Sequence, residues 1–185
     1  MLSLRNLAIT ASAILGATAA PAEIASRQTF TPGTLNNTQE FYITLQTTDG
    51  CISQYNGWQV EAYHTGAGLA DPVFATAGSP AYLNGTNLQF DVNAFPFGVN
   101  ALPGDTNYAR WEPVTIAAGY GSGEFATDGD NGLISTDEEF GGWIVCEWYH
   151  DINAPQLFQL IKGFATEPTV LPDSCANAIL TLDYF

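Results

Sequence analysis

The stretch FGGWIVCEWYH, Phe140 to His150, holds two tryptophans, a tyrosine, a cysteine, a glutamate and one of the two histidines of the chain. Its reading separates an active-site cluster from a structural strand. A strand points successive side chains to opposite faces. Trp143, Val145, Glu147 and Tyr149 then share one face, and Ile144, Cys146, Trp148 and His150 share the other. Read this way, the stretch is a strand with two faces rather than an active-site loop. Glu147 is the one charge on the first face. If it is buried without Arg110 or Lys162 beside it, acid chemistry follows; if it is solvated, the stretch is architecture.

The same period of two continues outward in both directions. EFYITLQTT places Phe41, Ile43 and Leu45 on one face, and GWQVEAYHT alternates Trp58, Val60, Ala62 and His64 with Gln59, Glu61 and Tyr63. NLQFDVN sets Leu88, Phe90 and Val92 against Gln89 and Asp91, expected on the polar side. In ARWEPVTIAA, Pro113 predicts an edge or a bulge, because proline cannot donate to a ladder. QLFQLI and AILTLDYF read as two further strands. The turns between carry TDG, YNG, PGD and TDGDNG, residues that accept positive φ or bond their own backbone. Many short strands with frequent turns predict an all-β domain, a single β-sandwich or barrel of mostly antiparallel strands over residues 40–185.

Residues 1–19 have the layout of a secretory signal peptide: Arg5, an apolar run from Leu7 to Leu15, and small residues at Ala17 and Ala19. That run is too short to span a membrane, so no transmembrane segment is expected. Residues 20–39 are polar and punctuated by proline and glycine, which predicts a loose N-terminal arm or propeptide, with Arg27 a possible cut site. The sequons at Asn36 and Asn84 fit a secreted glycoprotein, extracellular or in a cell wall. Asp and Glu total 19 against 4 Lys and Arg, a formal net charge of −15. So acidic a surface repels phosphate backbones and argues against nucleic-acid partners. Repulsion among the acids relaxes toward pH 4, an expectation of stability in acid. Cys51, Cys146 and Cys175 allow one bridge and leave one thiol.

Each chemical motif competes with a structural reading. Glu61 precedes His64 by three residues, and Glu147 precedes His150 likewise; on strands that spacing puts each pair on opposite faces. His64 and His150 make a metal site only if their strands meet, so no metal and no cofactor are expected. DGDNGLISTDEE, 128–139, resembles a calcium loop in Asp128, Asp130 and Glu139, but its glycine falls at the fifth place, not the sixth. An acidic hairpin turn with Gly129 or Gly132 at positive φ is the better reading. Glu61, Glu112 and Glu147 lie within apolar alternation and are the candidate catalytic carboxylates. An acid hydrolase would bring two of them to about 5–10 Å. There is no G-x-S-x-G, and HTGAGLADP lacks the lysine of a phosphate loop. Trp58, Trp111, Trp143 and Trp148 are candidates for a carbohydrate-stacking platform, against a plain core role.

An ordered series of segments runs through the chain: YHTGAGLADPVF, AYLNGTNLQFD, FPFGVN, NYARWEPVTIAAGYGSGEF, FGGWIVCEWYH, PQLFQL and LPDSCA. From about Phe41 to Tyr184 it resembles a family of small secreted fungal proteins, a domain of unknown function of the DUF7907 type. The resemblance implies a compact β-rich domain and no known activity, hence no catalytic residue to transfer. It implies a bridge between Cys146 and Cys175, leaving Cys51 aside, and so a stapled core face formed by Ile144, Cys146, Trp148 and His150. CEWYHD departs from the family's Asp-Trp-Trp-His-Gly type of run. The expected function is a non-enzymatic extracellular or wall-associated glycoprotein that binds wall or matrix carbohydrate or another extracellular protein. The other readings are a carbohydrate-binding module with exposed aromatics and an acid hydrolase using strand carboxylates.

Overall fold

The computed structural model describes residues 39–48, 52–101, 110–149, 153–165 and 171–185. The expected signal peptide and nearly all of the expected arm, with Arg27 and Asn36, lie outside them, as do Cys51 and His150. The strands in chain order are β1 (Phe41–Thr47), β2 (Gln59–Gly66), β3 (Leu69–Ala75), β4 (Ala81–Asn84), β5 (Asn87–Phe90), β6 (Phe97–Asn100) and β7 (Trp111–Pro113). They continue as β8 (Thr115–Ala118), β9 (Phe125–Thr127), β10 (Leu133–Ser135), β11 (Phe140–Tyr149), β12 (Asn153–Ile161) and β13 (Cys175–Tyr184). The one α-helix among the described residues, α1, is the single turn Lys162–Ala165.

Nine strands close into an antiparallel barrel, in the order β1-β13-β11-β12-β3-β8-β6-β5-β4 and back to β1. The closing pair is Phe41 with Ala81. Closure resolves the choice left open by the sequence: a barrel, not a sandwich. It also leaves no free edge on the nine strands, the row of unpaired amides that invites aggregation. β2 bridges β3 and β1 as an extra strand, and β7 pairs with β12. Pro113 ends β7 as an edge strand, as its missing N–H requires.

The barrel is filled. Phe41, Ile43, Leu45, Val60, Leu88, Phe90, Val99, Ile116, Trp143, Val145 and Leu157 meet in one buried cluster. The cavity at its centre is about 10 Å³, too small for a ligand. The β9–β10 hairpin drives Phe125 and Leu133 into this cluster, where Trp143 Nε1 donates to the Leu133 carbonyl at 2.6 Å. Binding chemistry therefore belongs to the outer surface.

Three expectations need correction. The main core lies on the Trp143–Val145 face of β11; Ile144 and Cys146 face outward into a second small cluster with Phe158, Leu160 and Cys175, covered by Trp111 and Leu171. The staple thus fastens an outer layer, because a barrel has its main core on one side only and β7 must cover the other. Gln89 and Asp91 are not on a polar surface; both are buried. A strap around Gly121 crosses β5 and β6, and Tyr120 O accepts from the Gln89 amide. In the acidic hairpin neither Gly129 nor Gly132 takes positive φ; Asn131 does, at 61°. The Asp128 carboxylate accepts the amides of Asp130 and Gly132, making it a turn-former.

Candidate functional site

β12 changes partner part-way along its outer edge. It pairs with β3 at Gln156 and with β7 from Phe158 to Leu160. A groove of about 390 Å³ opens at that change, lined by Asp71, Trp111, Pro113, Thr115, Trp148, Gln156 and Phe158. Alternation explains the floor: Gln156 and Phe158 are two apart on β12 and share its outer face. Trp148 comes from β11, opposite Ala154 in the ladder, whose methyl leaves room for the indole. Trp111 arrives on β7. Trp148 is 48% exposed and Trp111 half-buried. The Trp148 and Phe158 rings meet at 64° with centroids 5.5 Å apart, so the aromatics make walls rather than a flat platform.

A second cleft, also of about 390 Å³, lies beyond Trp148 and is lined by Tyr55, Glu147, Trp148, Asn153 and Ala154. Glu147 is exposed and accepts the Tyr55 hydroxyl at 2.9 Å. Burial, with the Glu147 carboxylate beside it, raises the Tyr55 phenol above its ordinary value. Trp148 therefore stands between an apolar groove and a polar cleft. On the test set by the sequence, solvated Glu147 makes its strand architectural, with the carboxylate at the rim of a cleft.

The other sequence candidates disperse. Glu61 is half-buried on β2, Glu112 is buried on β7, and neither lines the groove or the cleft. His64 is exposed on β2, and no cluster of metal-ligating side chains occurs among the described residues. Trp143 is enclosed in the core, and Trp58 packs edge-on against Tyr55 and the core. Asn84 is the exposed last residue of β4, paired with Asn87 across the two-residue turn Gly85–Thr86, with Gly85 at φ 64°. Cys146 and Cys175 are bonded directly across the β11–β13 ladder, Cα atoms 4.0 Å apart. The flanking Glu147 N–H to Ser174 O bond marks this as a non-hydrogen-bonded pair, the close position that a cross-strand bridge fits.

One carboxyl pair was not foreseen. Glu40, 7% exposed, and Asp91, fully buried, hydrogen-bond to each other where β1 begins and β5 ends. Burial first, then the hydrogen bond and charge of Asp91, push the Glu40 carboxyl up to about 7. Tyr82 lies beside the pair, its phenol raised by burial and then by Asp91 and Glu40. Both acids flank strands at register positions next to apolar residues, a placement sequence alternation assigns to solvent.

Residues 38–182 match the model of a family described as a domain of unknown function, DUF7907. No curated protein and no solved structure matches the chain.

Proposed function

Since the chain belongs to the DUF7907 family, whose description assigns no chemistry, the outer groove must carry the reading, and we propose a non-enzymatic carbohydrate-binding protein of the extracellular space or cell wall. The observation that carries this is the placement of Trp111 and Trp148 in one groove with Asp71, Thr115 and Gln156. Ligand pockets combine apolar walls with a few fixed polar groups. A sugar ring offers the matching surface, an apolar C–H face for an indole and hydroxyls for carboxylate, amide and hydroxyl side chains. Export as a glycoprotein, with a glycan on Asn84, fits the leader-like start, the exposed sequon and the cross-strand disulfide.

Binding is preferred to acid hydrolysis because glycoside cleavage uses two carboxyl groups about the scissile bond. Asp71 is the one carboxylate on the described lining of the groove. The Glu40–Asp91 pair lines neither the groove nor the cleft.

The test is calorimetric titration of the mature protein with soluble wall glucan, mannan and chitin-type oligomers. Trp148→Ala is expected to weaken binding about tenfold, the scale of losing one central aromatic contact. Its thermal midpoint should move little, since half the side chain is already in water. Absence of heat with every glycan at millimolar concentration, or a Trp148→Ala variant that binds as tightly as the parent, overturns the proposal.

A further inference from the structure

The groove and the cleft share one side chain, Trp148, yet differ in character. The groove is walled by Trp111, Pro113 and Phe158; the cleft presents the Tyr55 hydroxyl, the Glu147 carboxylate and Asn153. A ring stacked on Trp148 therefore has an apolar neighbour on one side and a carboxylate on the other. Asp71 and Glu147 are both acids, and no lysine or arginine is among the described residues lining either cavity. The whole chain carries −15, so its field favours a cation at this mouth. A neutral sugar gains nothing from Glu147 beyond a hydrogen bond. A protonated amine on that sugar gains a charge-assisted one.

Resting on the carbohydrate reading of the groove, we infer that the joined groove and cleft select an amino sugar within an oligosaccharide, its ring against Trp148 and its ammonium group against Glu147. Glu147 is then the specificity residue, Trp148 supplies affinity for any ring, and Tyr55 holds the Glu147 carboxylate in place through the 2.9 Å hydrogen bond. The chemical class is a β-linked or α-linked oligomer bearing free amines; N-acetylation removes the charge and with it the preference.

The experiment titrates the full mature chain at about pH 6 and physiological salt with glucosamine oligomers, their N-acetylated counterparts and a neutral glucose oligomer of equal length. A short lysine peptide serves as a cationic control. The amine oligomer is expected to bind about two- to fivefold more tightly than its acetylated form, the scale of a partly exposed ion pair. Glu147→Gln should abolish that difference and leave the acetylated oligomer's affinity within a factor of two. Tyr55→Phe keeps the carboxylate and should retain a reduced preference, which separates the charge from any effect of Glu147→Gln on folding. Equal affinity for both oligomers, an unchanged preference in Glu147→Gln, or a lysine peptide that binds as well as the amine oligomer overturns the inference. If acetylated and neutral oligomers still bind through Trp148 in those outcomes, the carbohydrate reading stands while the amine selectivity falls. If no oligomer binds, both fall.

Discussion

Glu40 shows how far one side chain departs from what its neighbours in sequence suggest. It sits before the apolar face of β1 and alternation sends it to water, yet the chain end folds over it: Phe185 N–H donates to its carbonyl, and Phe185 stacks on Tyr42. Its carboxyl holds a proton up to about 7 in the fold, against an ordinary value of 4.5. Below the ordinary value both folded and unfolded chains are protonated and nothing is lost. Between the two values the folded chain binds the extra proton, so stability falls as pH rises. The loss is at most about 3 kcal/mol by pH 8. Urea midpoints measured from pH 4.5 to 8 should fall accordingly. Glu40→Gln, a permanent mimic of the protonated acid, should flatten that slope and be the more stable variant at pH 8. A slope that persists in Glu40→Gln would place its origin elsewhere. The sign agrees with stability in acid as expected from the net charge, but it comes from one buried pair that composition does not reveal.

At the scale of elements, β11 was the most legible. Its split into two faces follows from the alternation of FGGWIVCEWYH, and Trp143 and Val145 do part from Ile144 and Cys146. Which face is the main core was not legible, because both carry comparable apolar bulk. That choice depends on the cover given by β7 and Leu171. QLFQLI marks β12 as a strand, and Pro113 marks an edge or a bulge, since a missing N–H is a local property. The groove was half visible: Trp111 and Trp148 were named, but Asp71, Gln156 and Phe158 join them only because β12 changes partners beside them. The strap across β6 was invisible. A Cβ on Gly98 would lie 2.1 Å from the Gly121 nitrogen, with Gly121 itself at φ 78°. The backbones touch there, and the neighbours are main chain that cannot swing aside. Gly98→Ala should cost about 2–3 kcal/mol, at the upper end for overpacking. A chemical denaturation curve displaced by less than half of that would mean the strap yields.

The whole molecule is a closed barrel whose disulfide joins strands already paired. Its effect therefore falls mainly on the unfolded chain, where it closes a loop with a sequence separation of 29. The chain-entropy model gives roughly 3–4 kcal/mol for such a loop. A Cys146→Ala/Cys175→Ala variant should lose about that much in equilibrium unfolding and keep its β-type far-ultraviolet dichroism. Loss of the folded signal in native buffer would show that the outer layer, not the barrel alone, holds the structure. The sequence by itself determined the period, the turns, the strand-breaking proline and the charge, because each is set by a residue and its near neighbours in the chain. The family-like series added the Cys146–Cys175 pairing. Only the tertiary structure decided that the sheet closes rather than stacks, that the staple lies outside the main core, that Glu40 meets Asp91, and that Trp111 meets Trp148. Those are contacts between residues distant in the chain, fixed by register and closure, and no local pattern encodes them.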